Sequence, residues 1–483
     1  APGPAPGLCR EGRVAVVGAG VAGLVAARSL HEFGCEVVVV EALDRLGGRT
    51  YTAAAGTFAG VEQGAHWVHG GVNNLPSSTL LSFLGVEQVA VGGDESWEGR
   101  RELLRLFPAG SGVPLTVAQR DQSFDLFSTA SEAVGNYVED VGGGAAHGMS
   151  VAEAWREEVG DLNFSWPDRL LMRWHQRVVY EQDSGAGMRS LSAEAEFLDE
   201  YTEFYPGSSA PGYERHGDGF VKGGYSDVVG RLAAPLDVRL GSPVGRVAHT
   251  RRGVALEFAN GTALEAAAVV VTASIGALQA GLPGFSPGLP PAKAAALGRL
   301  GIGNVTKVLV KLSPRANMQA LGPYSTGMLT AGDEVLTYCV RPDYEQRAQR
   351  VLECFAGGEA ALVAGSLTTE QLRLKVESEL SPIVGPFAIQ EVSAVNWAAI
   401  PSIRGAWSFV PPGASPADMD VLAAPVGPRV HFAGEGTCRL LYGCVHAAVV
   451  SGARAARDVL GFSAAAAAAR AERWPLFRRD IAD

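Results

Sequence analysis

Residues 14–41 open with Val14-Ala15-Val16-Val17-Gly18-Ala19-Gly20-Val21-Ala22-Gly23, continue as a helix-like run to Phe33 and Gly34, and close with a β run, Glu36–Val40, and Glu41. An apolar β-branched run, glycines spaced G-x-G-x-x-G, a helical pattern ended by Gly34 and a second β run predict one βαβ unit of about 30 residues. In such a unit Gly18 permits the tight turn after the strand. Gly20 lets backbone N–H groups approach a pyrophosphate, and Gly23 lets the helix pack closely on the sheet. The helix N-terminus then faces the phosphates. Glu41, at the end of the second strand, is placed to accept hydrogen bonds from ribose hydroxyls. An isolated G-x-G-x-x-G says little; here the flanking strand, helix and acid supply the context of a dinucleotide site.

Downstream the pattern shifts several times. From about Pro76 to Pro211 the chain is helical in character, with Gly- and Ser-rich loops. β patterns return at Val238–Leu240, Val244–Val247, Ala255–Phe258 and Val269–Thr272, with Asn260-Gly261 as a hairpin turn. Residues 301–395 are mixed. A short strand from Val430 leads into the Gly434–Gly436 turn and a helix from about Val445 to Leu460. A short terminal helix is expected beyond Ala464. This alternation predicts an α/β protein of two domains, each using several chain segments.

Composition bounds the function. The chain has 483 residues, and 40 Lys and Arg against 51 Asp and Glu leave a net charge of −11. Without surplus cations, nucleic acid and anionic membranes are poor partners. Glycine is in excess, at 61 residues, while a 47% hydrophobic content excludes a largely disordered chain. Six cysteines without a C-x-x-C pair are too few and scattered for a disulfide scaffold, and no metal site is expected. Cys438 and Cys444 are close enough to consider a bridge, but free thiols are the expectation. The uncharged stretch 266–292 contains Gly276, Gly281, Pro283 and Gly284, so it predicts a buried strand and helix rather than a membrane span. Ala1–Gly12 reads as a flexible tail from which a leader has been removed. Sequons at Asn163, Asn260 and Asn304 do not decide location, and cytoplasm, peroxisome, plastid and secretion all stay open. Oligomeric state stays open as well.

A second motif, Leu46-Gly47-Gly48-Arg49-Thr50, follows Glu41. Its glycine pair lets the chain turn close to a dinucleotide, and Arg49 can pair with phosphates. Nicotinamide dehydrogenases rarely carry this addition, so it favours FAD over NAD. Together Gly18–Gly23, Glu41, Gly47–Arg49, the block Gly64-Ala65-His66-Trp67-Val68-His69-Gly70, Val270–Leu278, Lys307, Asn396-Trp397, Arg404–Phe409 and Phe432-Ala433-Gly434-Glu435 resemble the flavin amine oxidase family. The Gly64–Gly70 block is most similar to the polyamine oxidases, the acetylpolyamine and spermine oxidase branch.

The resemblance implies a Rossmann-like FAD-binding domain (8–75, 216–298 and 400–463) interleaved with a mixed α/β substrate-binding domain (76–215 and 299–399), and a tail at 464–483. FAD would contact Gly18, Gly20, Gly23, Glu41, Gly48, Arg49, Gly64, Ala65, His66, Trp67, Val244, Trp397, Glu435 and Val445. Glu435 is expected to hydrogen-bond its ribityl–pyrophosphate region. Binding would be non-covalent, because Arg404–Pro411 holds no cysteine. Lys307, expected to point away from an apolar face, is implied to hold a water against flavin N5. His66 would lie beside the substrate amines as a second catalytic group.

Trp407, Phe409 and Tyr442 are the implied aromatic walls for a substrate cation. Cys444 stands two residues before His446, where some branches carry tyrosine, so the cage is rebuilt. Within Glu194–Glu203, Glu196, Asp199, Glu200 and Glu203 fall on one helix face, opposite Phe197, Leu198, Tyr201 and Phe204. The plain expectation is a solvated acidic surface; the sharper one is an acidic rim that gathers a polycation, with Glu200 in the substrate site. The activity implied is oxidation of a polyamine or acetylated polyamine by hydride transfer to flavin N5, with O2 as acceptor, giving aldehyde, amine and H2O2. Alternatives are an L-amino acid, needing an arginine clamp such as Arg173 or Arg404, or an aromatic monoamine. A histone-demethylase-like peptide amine oxidase is disfavoured because no tower-like insertion or chromatin-reading module is visible.

Overall fold

The computed structural model describes residues 7–70, 75–90, 101, 104–160, 164–198, 219–322, 325–329, 336–340 and 350–478. The opening motif forms strand β1 (Val14–Val17), helix α1 (Val21–Glu32) and strand β2 (Val37–Val40). β1 lies at the centre of a five-stranded parallel sheet, ordered Val430–Phe432, Ala268–Val271, β1, β2, Asp237–Arg239. Its outer strands come from sequence positions hundreds of residues away, as an interleaved domain requires.

Alternation along these strands splits the core into two layers. Val14, Val16, Val37, Val39 and Val270 pack beneath α1 and the helix Val445–Leu460. Ala15, Val38, Val40 and Val269 face the opposite way, toward Val247 and Leu256 of a small second sheet. The two helices approach closely because their contact is built from small residues. A Cβ on Gly452 would stand 2.4 Å from the Ala22 carbonyl oxygen.

The other half centres on a six-stranded sheet ordered Ile389–Asn396, Val305–Leu312, Val351–Gly357, Tyr338–Val340, Ser325–Leu329 and Leu104–Pro108. Its neighbours run antiparallel except for the last pair. Helices Gly358–Ser366 and Thr369–Val384 cover one face through Ala361, Leu372, Val376 and Leu380. Around Val134, Trp155 and Tyr180, the helices Val117–Val141, Val151–Val159 and Trp166–Gln176 form a separate core. The architecture is therefore the expected one, a Rossmann-like α/β dinucleotide domain and a mixed α/β partner.

Two expectations need correction. Residues 7–10 are not a loose tail: they form a short turn in which Cys9 is buried and disulfide-bonded to Cys35. A second disulfide joins Cys339 to Cys354, which strand register places directly opposite one another. Sequence spacing concealed both pairs, because the fold sets their distances. Cys438 and Cys444 take part in no disulfide, as expected. Among the described residues no helix is long and apolar enough to cross a membrane, and no cluster suited to a metal ion occurs.

Candidate active site

A cavity of about 810 Å³ lies where the two halves meet. Gly18, Gly20, Glu41, Gly48, Arg49, Gly64, Ala65, His66, Trp67, Val244, Lys307, Trp397, Trp407, Phe409, Glu435, Tyr442, Cys444 and Val445 all line it. Gly23 lies just behind, and a Cβ there would stand 2.0 Å from the Gly18 carbonyl oxygen. Residues scattered over more than 400 sequence positions are thus brought to one wall. Glu200 lies outside the described residues.

At the dinucleotide end, both oxygens of Glu41 are anchored by backbone donors. Oε2 accepts from Ala19 N at 2.6 Å and Oε1 from Leu43 N at 2.8 Å. Gly20 precedes α1 without a side-chain cap, which leaves the first helical N–H groups for a ligand. Arg49 and Glu435, each expected to face the ligand, also bind each other. Arg49 Nη1 donates to Glu435 Oε1 at 2.9 Å and to the Ala406 carbonyl at 2.7 Å. Burial pushes the Glu435 carboxyl up, but the Arg49 charge and hydrogen bonds from Ser408, Arg49 and the Gly443 N–H overcome it and hold the group below its ordinary value.

Lys307 stands in a strand paired on both sides and is 3% exposed. The antiparallel register puts it on the same sheet face as Glu353. Its Nζ donates to the carbonyls of Glu62 (2.9 Å) and Gly64 (2.8 Å) and to Glu353 Oε2 (2.8 Å). These three acceptors match the three protons of an ammonium. His66 Nδ1 lies 2.8 Å from the same Glu353 oxygen. Sequence reasoning missed Glu353; the signal was one carboxylate inside the apolar run Val351–Gly357, all of it buried.

Another part of the cavity is acidic. Asp183 and Glu196 both line the cavity. Glu196 belongs to the short helix Ala193–Phe197, which is capped at Leu198. The solvated-face expectation holds only in part: Glu196 is half-buried where it lines the cavity, and burial with repulsion from Asp183 pushes its carboxyl up to about 7. Asp199 and Glu203 fall outside the described residues. Burial pushes His446 down to about 3, helped by the charge of His69, so its imidazole is neutral. Trp407 Nε1 donates to the Asp183 carbonyl at 2.6 Å, which ties one aromatic wall to the segment bearing an acid.

The family model described as flavin-containing amine oxidoreductase matches residues 21–460. The chain belongs to this family. Similar relatives include polyamine oxidase 1 of Oryza sativa subsp. japonica, 31% identical over 94% of this chain and 98% of that protein. Lysine-specific histone demethylase 2 of Homo sapiens is 28% identical over 93% of this chain, which spans about half (53%) of that longer protein. Among solved structures, cyclohexylamine oxidase of Brevibacterium oxydans is 24% identical with a TM-score of 0.74, covering 93% of this chain and 98% of that one. Putrescine oxidase bound to putrescine is 21% identical with a TM-score of 0.71, covering 93% and 99%. These structures bear on the fold.

The flavin of this family is FAD, and the glycine pattern fits it. Gly20, Gly48 and Gly434 border the cavity, and a Cβ on any of them would have no protein atom within 3.4 Å. Protein packing does not demand glycine there. At Gly48 and Gly434 the positive φ (57° and 128°) favours glycine as well, and at Gly20 only space for a ligand running against the backbone does.

Proposed function

We propose that this amine oxidoreductase is an FAD-dependent oxidase whose substrate is a polyamine or an acetylated polyamine. One observation carries the reading: the cavity presents two carboxylates, Asp183 and Glu196, beside aromatic walls, and among the described residues no arginine free to clamp a carboxylate. The one arginine among its described lining residues, Arg49, is committed to Glu435. The clamps considered for an amino-acid substrate lie elsewhere. Arg173 pairs with Glu181 at 2.9 Å in a second cavity, and Arg404 is exposed against the Pro401 carbonyl. A polycation therefore suits this wall better than a zwitterion.

FAD, when bound, supplies the two-electron acceptor, and O2 then yields H2O2. It is held without a covalent link, since Arg404–Pro411 contains no cysteine. The chain's own residues enclose the amine, orient its reacting carbon and manage its proton. The aromatic side chains of Trp407, Phe409 and Tyr442 hold the amine against the reacting face. The relatives named as histone demethylases supply a second reading, a lysyl side chain in a peptide. One experiment separates the readings. Spermine, its acetyl derivatives, an aromatic monoamine, an L-amino acid and a methylated lysyl peptide are added anaerobically in turn. Bleaching of the flavin absorbance by polyamines is expected, with aldehyde product by mass analysis. Bleaching by the amino acid or the peptide alone would overturn the assignment.

A further inference from the structure

Glu353 is 0% exposed. A carboxylate taken out of water is costly unless cations or donors satisfy it. Burial pushes its carboxyl up, yet the Lys307 ammonium at 2.8 Å and the hydrogen bonds from His66 and Lys307 prevail and hold it below the ordinary carboxylate range. Glu353 is therefore an anion, which accepts hydrogen bonds and donates none.

That fact fixes the neighbouring imidazole. At 2.8 Å from Glu353 Oε2, His66 Nδ1 must carry its hydrogen toward the carboxylate. In the uncharged ring Nε2 is then the atom with the lone pair. Among the described residues it makes no hydrogen bond, and it is not one of the sealed polar atoms that lack a partner, so it opens to the cavity that His66 lines. Aromatic neighbours restrain the ring: its centroid lies 4.2 Å from Phe220 and 5.0 Å from Trp67. Among the described residues, the charged or titratable groups facing it are Glu353 and Lys307, from adjacent strands of the six-stranded sheet, and Glu62 from the preceding loop.

We infer that Glu353 is the positioning residue that makes His66 a proton acceptor for the substrate ammonium. It holds Nδ1–H and leaves the Nε2 lone pair facing the cavity. The inference rests on the amine-oxidation reading. An alkylammonium ordinarily titrates near about 10.4, so the amine arrives as a cation, without the nitrogen lone pair that assists loss of hydride from the adjacent carbon. One proton moves from the substrate N–H⁺ to His66 Nε2 and no electrons are exchanged. The amine becomes neutral, and Glu353 balances the new imidazolium. Lys307 cannot serve instead, because an ammonium has no lone pair. His446, with its imidazole pushed down to about 3, is too weak a base.

The test is an imidazole ¹⁵N spectrum of the FAD-loaded protein labelled at histidine, with His66→Asn to assign the signal. In the wild type, His66 is expected to show a protonated Nδ1 and a bare Nε2. In Glu353→Gln, which keeps the volume but loses the charge, mixed tautomers are expected. The variant should also lose about 100-fold in kcat/KM for the amine, with KM moving far less, since general bases contribute about 10² to 10⁴. A wild-type His66 protonated on Nε2, or a Glu353→Gln protein matching the wild type in both spectrum and kinetics, would overturn the inference. The spectrum needs no substrate. Amine oxidation with the wrong tautomer therefore sinks this inference alone, whereas the expected tautomer without amine oxidation sinks the functional reading. If Glu353→Gln does not fold, the wild-type tautomer decides.

Discussion

On the proposed polyamine reading, Glu196 couples charge, substrate and pH at a single position. Its folded value of about 7 stands above the ordinary 4.5. A raised carboxyl contributes stability below pH 4.5 that is lost as pH climbs to about 7, because the unfolded chain ionises first. Glu196→Gln should accordingly raise the melting temperature relative to wild type at pH 8 and leave it unchanged near pH 4, as calorimetry at both pH values can check. Catalysis runs the other way. Above pH 7 the ionised carboxylate attracts a cation, so the KM for spermine should rise as pH falls through 7. The substitution should raise that KM about tenfold, equivalent to about 1.4 kcal/mol, and change the KM for a monoamine far less. Equal effects on both substrates would remove Glu196 from polycation binding. Gly23 makes a separate prediction. A Cβ there would stand 2.0 Å from a backbone oxygen that cannot swing aside, so Gly23→Ala should purify with a lowered flavin-to-protein absorbance ratio.

The segment Arg177–Gln182 extends the helix Trp166–Gln176 with π geometry rather than α geometry. One extra residue per turn shifts everything that follows, and such turns favour functional sites. Here it presents Val178, Val179, Gln182 and Asp183 to the cavity while Glu181 meets Arg173 and Arg177 on the other side. Deleting Val179 should restore the α register and rotate Asp183 off the cavity wall. The expected result is a folded, flavin-loaded protein with a spermine KM raised at least tenfold. An unchanged KM would show that the π turn is incidental. Neither this turn nor Glu353 announces itself in the sequence as part of a site. Local patterns disclosed β1, α1, β2 and the helix Val445–Leu460, because hydrophobic period and glycine position are local quantities. Which face Lys307 presents depends on a partner strand more than 40 residues away. The helical pattern that placed Glu196 on an exposed face was read correctly only in its first turn, since the helix closes at Leu198.

Across the whole molecule, the two disulfides serve different halves. Cys9–Cys35 spans 26 residues and fastens the N-terminal turn to the end of α1, far from the chemistry. Cys339–Cys354 spans 15 residues and joins adjacent strands of the sheet, immediately beside Glu353. Chain-entropy arguments give each closure about 3 kcal/mol. Disulfides of this kind suit an oxidising compartment, where they persist. Denatured, non-reduced protein should therefore expose two thiols, Cys438 and Cys444, and peptide mapping should recover the two linked pairs; reaction of all six cysteines would refute the pairing. The bridges should also separate in function. Cys9→Ser is expected to lower unfolding free energy by about 3 kcal/mol in denaturant titration, with kcat/KM nearly unchanged. Cys354→Ser should cost comparable stability and lower kcat/KM as well, because it loosens the strand that holds Glu353 against His66 and Lys307. If both variants lost stability alone, the strand would hold its carboxylate without the bridge, and the packing of Leu352, Phe355 and Ala356 would suffice to position it.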